Sequence, residues 1–96
     1  MVEKRRGFER QAENLKALGH PVRLQIIQAL TDKPWCVCEL AEELDVRQPY
    51  LSQQLAYLRR AGIVSGTKDG LQVQYCIEVP HVKALLKAIV DVTSGA

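Results

Sequence analysis

Aromatic side chains are scarce in this chain: one Trp, three Tyr and one Phe among 96 residues. A core with so few rings must be built from aliphatic stripes. At this length a lone core is only marginally stable, so dimerisation is expected to help. Cysteine is also sparse, with three residues at no disulfide-framework spacing. That excludes a stapled secreted scaffold and suggests free thiols in a reducing cytoplasm. No apolar run approaches the length of a membrane span, and the opening MVEKRRGFER lacks the apolar core of a secretory signal. The expectation is a cytoplasmic chain with no membrane partner. The formal charge is only +2, short of a histone-like excess, so any argument for nucleic-acid binding must rest on where the charge sits. Internal repeats and low-complexity segments are absent, and residues 1–96 read as one domain.

What is present is organised around 37–62, VCELAEELDVRQPYLSQQLAYLRRAG. Val37, Leu40, Ala41 and Leu44 recur at the spacing of one buried helix face. Asp45-Val46-Arg47 breaks the pattern and Gln48-Pro49 restarts it, since proline is tolerated in a first helical turn. Leu51, Leu55 and Leu58 form the next stripe, and Gly62 stands where a left-handed C′ residue closes a helix. With the leucines inward, Pro49, Gln53, Ala56, Tyr57 and Arg60 point outward, flanked by Gln48, Tyr50, Ser52 and Arg59. That face holds amides, hydroxyls and guanidiniums but no carboxylate. The preceding helix has Glu39, Glu42, Glu43 and Asp45 and no cation. Between Arg47 and Lys68 there are four cations and no acid. Such groups pair with base edges in a major groove and with the phosphates beside it. The alternative is a solvated helix that happens to lack acids; the charge contrast favours a helix-turn-helix whose second helix reads duplex DNA.

Upstream, 1–18 reads as a helix with the stripe Phe8, Ala12, Leu15 and Leu18. Lys4, Arg5, Arg6 and Arg10 crowd its start, either touching DNA beside the site or forming a solvated basic tail. His20 sits where an N-cap is needed, and Pro21 opens a core helix carrying Val22, Leu24, Ile26, Ile27 and Leu30. With no second histidine nearby, His20 reads as structural. Pro34 pushes its neighbourhood toward extended geometry, so Trp35-Cys36 is expected as a very short strand. After Gly62 the pattern alternates. Residues 63–65 and 73–79 read as strands with Thr67-Lys68-Asp69-Gly70 as the turn between them. This hairpin, 63–79, forms a wing with Lys68 near its tip as a phosphate contact, and it leaves Cys76 on the polar face of the second strand. Pro80 opens the last helix, 80–92, where Val82, Leu85, Leu86, Ile89 and Val90 make one apolar stripe. The fold class is thus mainly α with a β-hairpin wing, a winged helix-turn-helix. Phe8, Leu15, Val82, Leu85, Leu86 and Ile89 are the expected homodimer surface; the alternative is that both terminal helices only finish the monomer core.

The strings LKALGHPVRLQIIQAL, CVCELAEEL, QPYLSQQLAYLRRAGIV and DGLQVQYCI, in this order from about Leu15 to Ile77, resemble the ArsR/SmtB family of winged-helix repressors. The resemblance implies a homodimer that binds a palindromic operator in double-stranded DNA, needs no cofactor to do so, and leaves when an effector binds. The family's reading-helix pattern Q-[SP]-x-x-S-x-H-L is met by Gln48, Pro49, Ser52 and Leu55, with Gln54 in place of histidine. CVCEL resembles the thiol box of arsenite-responsive members: Cys36 and Cys38 match its first two cysteines and Ala41 replaces the third. The zinc-sensing set of the last helix is missing, with only His81 and Asp91 present, and so are the N-terminal cysteines of cadmium and lead sensors. Winged helices commonly pair the short strand with the second wing strand, which implies Cys76 near Cys36 as a replacement third ligand.

Soft thiolates select arsenite, antimonite, zinc, cadmium or copper(I) over calcium or magnesium. A helix N-terminus is expected to lower thiol pKa, favouring metal capture or oxidation. If Cys36 and Cys38 both stand in regular helix they point to different sides, so one ion can take both only by unwinding that turn. Three readings of the thiols stay open: a soft-metal or arsenite sensor, a redox or reactive-sulfur sensor, and small apolar fillers without a sensing role. Among wider classes, a module for protein contacts alone would bind DNA without salt dependence, if at all. A thiol enzyme or metal carrier built on C-x-C is disfavoured by the lack of a buried base for a nucleophile and of any Cys–His–acid constellation.

Overall fold

Four prolines set the breaks between elements. The computed structural model describes the backbone of residues 2–94 and the side chains of residues 7–89. The side chains of Lys4, Arg5, Arg6, Val90 and Asp91 lie outside that range. Elements follow in the order α1 (Val2–Leu18), α2 (Pro21–Asp32), β1 (Trp35–Cys36), α3 (Val37–Leu44), α4 (Gln48–Arg60), β2 (Val64–Asp69), β3 (Gln72–Ile77) and α5 (His81–Ser94). The three strands form one antiparallel sheet in the order β1-β3-β2. This is a winged helix-turn-helix.

Local chemistry accounts for the boundaries. His20 caps α2: its Nδ1 accepts the Val22 N–H at 3.2 Å, the structural role expected of it. Helix α3 ends on Asp45 in the left-handed region, φ 53, which Asp tolerates better than most side chains. Helix α4 ends in a Schellman closure. The Gly62 N–H reaches Arg59 O and the Ile63 N–H reaches Leu58 O, each at 3.0 Å, with Gly62 at φ 78.

The wing differs from the sequence expectation in its turn. Thr67, Lys68 and Asp69 belong to β2, and Asp69 pairs with Gln72, leaving only Gly70-Leu71 as the loop. Gly70 supplies a positive φ of 65 at the position where a tight hairpin turn demands it. Turn-prone composition suggested a wider turn; the pairing continues because a two-residue loop matches strand twist better. Val79, expected in the second strand, lies beyond β3. Gly66 is needed for packing: a Cβ there would stand 2.9 Å from Val73 Cγ1.

The core gathers Ile26, Ile27 and Leu30 of α2, Leu40 and Ala41 of α3, Leu51, Leu55 and Leu58 of α4, and Ile63 and Val64. Each fully buried aliphatic side chain contributes about 1.5–3 kcal/mol. Ala17 and Leu18 of α1 and Val82 and Leu86 of α5 complete this core. That corrects the expected dimer surface, because Val82 and Leu86 are buried within the protomer. Phe8 (69% exposed), Leu15 (55%), Leu85 (37%) and Ile89 (39%) remain outside. The α5 stripe is wider than the groove that receives it, so it divides between two directions.

Candidate nucleic-acid interface and thiol site

Helix α4 turns Leu51, Leu55 and Leu58 into the core and holds its polar side outward. Gln48, Pro49, Tyr50, Ser52, Gln53, Arg59 and Arg60 are exposed, as is Lys68 on β2 near the wing tip. The Tyr50 hydroxyl lies 3.5 Å from His20 Nε2, leaning toward the start of α2. Arg60 borders a groove between α1 and α4 with Arg10, Glu13, Asn14, Tyr57 and Ala61, at the flank of the reading face rather than its centre.

Tyr57 is a correction. It is half-buried against the core, and the Arg23 guanidinium sits over its ring at 3.7 Å. The residue anchors α4 to α2. Arg23 also donates from Nε to Gln54 Oε1 at 2.9 Å and from Nη1 to Ala17 O at 3.2 Å. Gln54, which stands where the family pattern has histidine, therefore faces the protomer. Arg23 joins α1, α2 and α4 through these contacts, and sequence reasoning missed it. Its partner Gln54 lies 31 residues away, and no periodicity reports such a pairing.

The thiols are arranged otherwise than expected. Cys36 is not helical: it is the extended N-cap of α3, φ −84 and ψ 159. Its side chain therefore does not follow the helical projection, and its Sγ lies 3.3 Å from Cys38 Sγ. Both thiols converge with the first turn of α3 intact, so joint capture requires no unwinding. Cys36 is buried and Cys38 exposed. Cys36 Sγ donates to Glu39 Oε1 at 2.9 Å. The Glu39 carboxylate, by accepting that proton, pushes the Cys36 thiol above its ordinary pKa; the neighbouring Cys38 and burial add to this, and the Glu39 backbone N–H opposes it. The expectation that the helix start lowers the pKa fails for Cys36 because the carboxylate outweighs the backbone. In the sequence Glu39 stands only as one of the acids of α3. The signal was its position three residues after an N-cap, where a side chain reaches back.

Cys76 does not join the pair. Cys36 is opposite Gln74 and Trp35 opposite Tyr75, while Cys76 Sγ lies 3.2 Å from Ser65 Oγ on the far strand. Among the described residues no three His, Cys, Asp or Glu side chains form a group that would hold a metal ion. The pairing of β1 with β3 is as the resemblance implied, but the register places Cys76 beside β2. Next to Cys36 and Cys38 opens a cleft of about 230 Å³, lined also by Val37, by Gln48 at the start of α4, and by Leu71, Gln72, Val73 and Tyr75 of the wing. The thiol pair thus borders both elements of the candidate DNA interface.

Comparison with known proteins agrees with this geometry. Residues 20–65 match the model of "Bacterial regulatory protein, arsR family". An HTH-type transcriptional regulator of Methanocaldococcus jannaschii is 39% identical over 83 residues, covering 85% of this chain and 93% of that protein. Reduced HlyU from Vibrio cholerae superposes with a TM-score of 0.85 at 34% identity, over 96% of this chain and 97% of that one. The transcriptional repressor BigR from Xylella fastidiosa does so with 0.82 at 35% identity, over 95% and 91%. Among the described residues no helix is long and apolar enough to cross a membrane. A winged helix-turn-helix with an acid-free second helix, matched over most of its length by such regulators, is a DNA-binding transcriptional regulator rather than an enzyme, and the chain belongs to the arsR family.

Proposed function

We propose that this regulator is a repressor that binds a palindromic operator as a homodimer and releases it when Cys36 and Cys38 capture a thiol-reactive effector. Arsenite, antimonite, zinc, cadmium and copper(I) are the inorganic candidates. The carrying observation is the cleft that joins the thiol pair to Gln48 of α4 and to the wing. Gln48, Pro49, Tyr50, Ser52 and Gln53 lead α4 into the major groove, and Arg59, Arg60 and Lys68 take phosphates. Phe8, Leu15 and Leu85 meet their symmetry mates, covering a groove between α1 and α5 lined by Leu15, Leu18, Val79, Val82 and Leu85. No cofactor is required for DNA binding. Atoms placed in the thiol cleft displace the start of α4 from the wing. Release follows because the effector binds that displaced arrangement better than the DNA-bound one.

A second reading uses the same sulfurs. At 3.3 Å apart, Cys36 and Cys38 need to approach by little more than an ångström to form a disulfide of about 2.05 Å, so an oxidant can close the same switch. One experiment addresses both. Duplexes selected from a random pool are bound by wild type and by the double variant Cys36→Ser/Cys38→Ser, then challenged with arsenite, zinc, cadmium, copper(I) or a disulfide oxidant. Both proteins bind with affinity that falls steeply with salt. Only wild type is released, and the active reagent identifies the chemistry. Release of the double variant would sink the thiol mechanism.

A further inference from the structure

The histidine that caps α2 also touches the reading helix. Its Nδ1 accepts the Val22 N–H at 3.2 Å, so that nitrogen carries no proton and the neutral imidazole bears its proton on Nε2. Nε2 lies 3.5 Å from the hydroxyl of Tyr50, 30 residues further along the chain. With the tautomer fixed by the cap, the direction of this contact is fixed too: Nε2–H donates and Tyr50 Oη accepts. A separation of 3.5 Å is long for a hydrogen bond, so the contact orients the phenol more than it stabilises the fold. A phenolic oxygen has one in-plane lone pair, the other being delocalised into the ring. His20 takes the first, and the Tyr50 O–H is left to donate away from α2.

Among the described residues His20 is the only partner of that hydroxyl. The first turns of α2 and α4 hold no acid to take its proton. Tyr50 flanks the outward row of α4, and its lean toward α2 carries it to the margin of the reading face, where phosphates border a major groove. We propose that Tyr50 is a donor-only contact to one DNA phosphate oxygen, and that His20 is its positioning residue, aiming the phenolic proton at the backbone. A donor with no acceptor left suits an anionic oxygen better than a base edge, which mixes donors with acceptors. One imidazole thereby ties the cap of α2 to the register of α4 on the duplex. The inference rests on the duplex-reading role of α4 and is independent of the thiol switch.

Two variants of the full chain test it. Tyr50→Phe removes the hydroxyl and keeps the ring. His20→Asn keeps a side-chain oxygen for the Val22 N–H, Asn being among the strongest N-caps, but ends short of the place that Nε2 occupies. Both are compared with wild type on a duplex selected from a random pool, and on copies in which one phosphate at a time is an uncharged methylphosphonate. Wild type should lose roughly tenfold in affinity at the phosphate that Tyr50 meets, the worth of a hydrogen bond to a charged group. Tyr50→Phe should lose about as much on the unmodified duplex and nothing further from that one methylphosphonate, while its penalties at all other phosphates match wild type. His20→Asn should lose roughly threefold, the cost of ordering a side chain on binding, with an unchanged urea midpoint. Added to Tyr50→Phe it should lose nothing more. A phosphate profile of Tyr50→Phe identical with wild type overturns the contact, as does a loss that follows the identity of one base pair. A His20→Asn loss that persists beside Tyr50→Phe overturns the positioning role. Failure of wild type to bind any duplex at low salt removes the reading of α4 as well; normal binding that Tyr50→Phe leaves unmoved removes this inference alone.

Discussion

Helices α4 and α5 carry apolar stripes of similar spacing and end in different surroundings. On α4, Leu51, Leu55 and Leu58 are all wholly buried. On α5, Val82 and Leu86 are buried while Leu85 and Ile89 stay exposed. The stripe of α4 is narrow enough for one groove, formed by α2, α3 and the base of the wing. The α5 stripe spans positions i, i+3, i+4, i+7 and i+8, a wider arc, and among its described members only Val82 and Leu86 are buried in the protomer. Packing that closes on itself holds the reading helix rigidly. Packing left half open is available for a second copy of the chain.

Substitutions on the two stripes should separate these roles. Leu55→Ala leaves a cavity in a closed core and is expected to cost about 3–5 kcal/mol, visible as a large drop in the urea midpoint. For a domain of this size that is a large part of the total stability, roughly 5–15 kcal/mol. Leu85→Asp should cost the protomer less than Leu55→Ala, because Leu85 keeps 37% of its surface exposed, yet convert the species seen in sedimentation from dimer to monomer. Its DNA affinity should fall by roughly 100-fold or more, because the second half-site loses its effective concentration. Equal loss of folding stability in both variants would erase the distinction between the helices.

The same contrast explains what was legible in the sequence. The helix-turn-helix, the Gly62 closure, the Trp35-Cys36 strand and the capping role of His20 all follow from local periodicity and local backbone chemistry. The hairpin was legible in kind but not in length, since Thr67-Lys68-Asp69 is turn-prone alone and becomes strand only through pairing with Gln72-Val73-Gln74. How the α5 stripe divides was not legible, because spacing defines a face without saying where the neighbouring groove ends. The roles of Tyr57 and Gln54 were also hidden: Tyr57 lies at an angle that reads as outward, and nothing in the spacing gives Gln54 a partner, until Arg23 of α2 is placed against them. The need to unwind a turn holds only if Cys36 is helical, and the short strand expected at Trp35-Cys36 already sets it outside α3. Its extended N-cap geometry is what brings the two sulfurs together.

Arg23 sharpens the account of α4, whose inward side is held by more than leucine. Arg23→Ala removes the bonds to Gln54 and Ala17 and the stacking on Tyr57. The group is only partly buried, so a loss of about 1–2 kcal/mol is expected, smaller than the Leu55 effect. Combined with Gln54→Ala, the two changes should cost less than their sum, because they remove one shared bond. Strict additivity in urea melts would show that the Arg23–Gln54 contact carries no stability of its own.

The smallest expected effect concerns α3, whose start is held by a chemical pair rather than by a stripe. The Cys36 thiol is raised above its ordinary pKa chiefly by the Glu39 carboxylate that accepts its proton. A raised thiol means that the folded state favours the protonated form. The stabilisation is therefore complete below the ordinary thiol value of about 8.5 and is lost as pH climbs through the raised folded value. Glu39→Gln removes the leading cause, so the stability difference between wild type and this variant should be flat from pH 6 to about 8. It should then shift against wild type as the medium becomes more alkaline. Urea midpoints measured across that range give the comparison, with tyrosine and lysine titration common to both proteins. A difference that stays flat through the alkaline range would mean that the carboxylate does not govern the Cys36 proton.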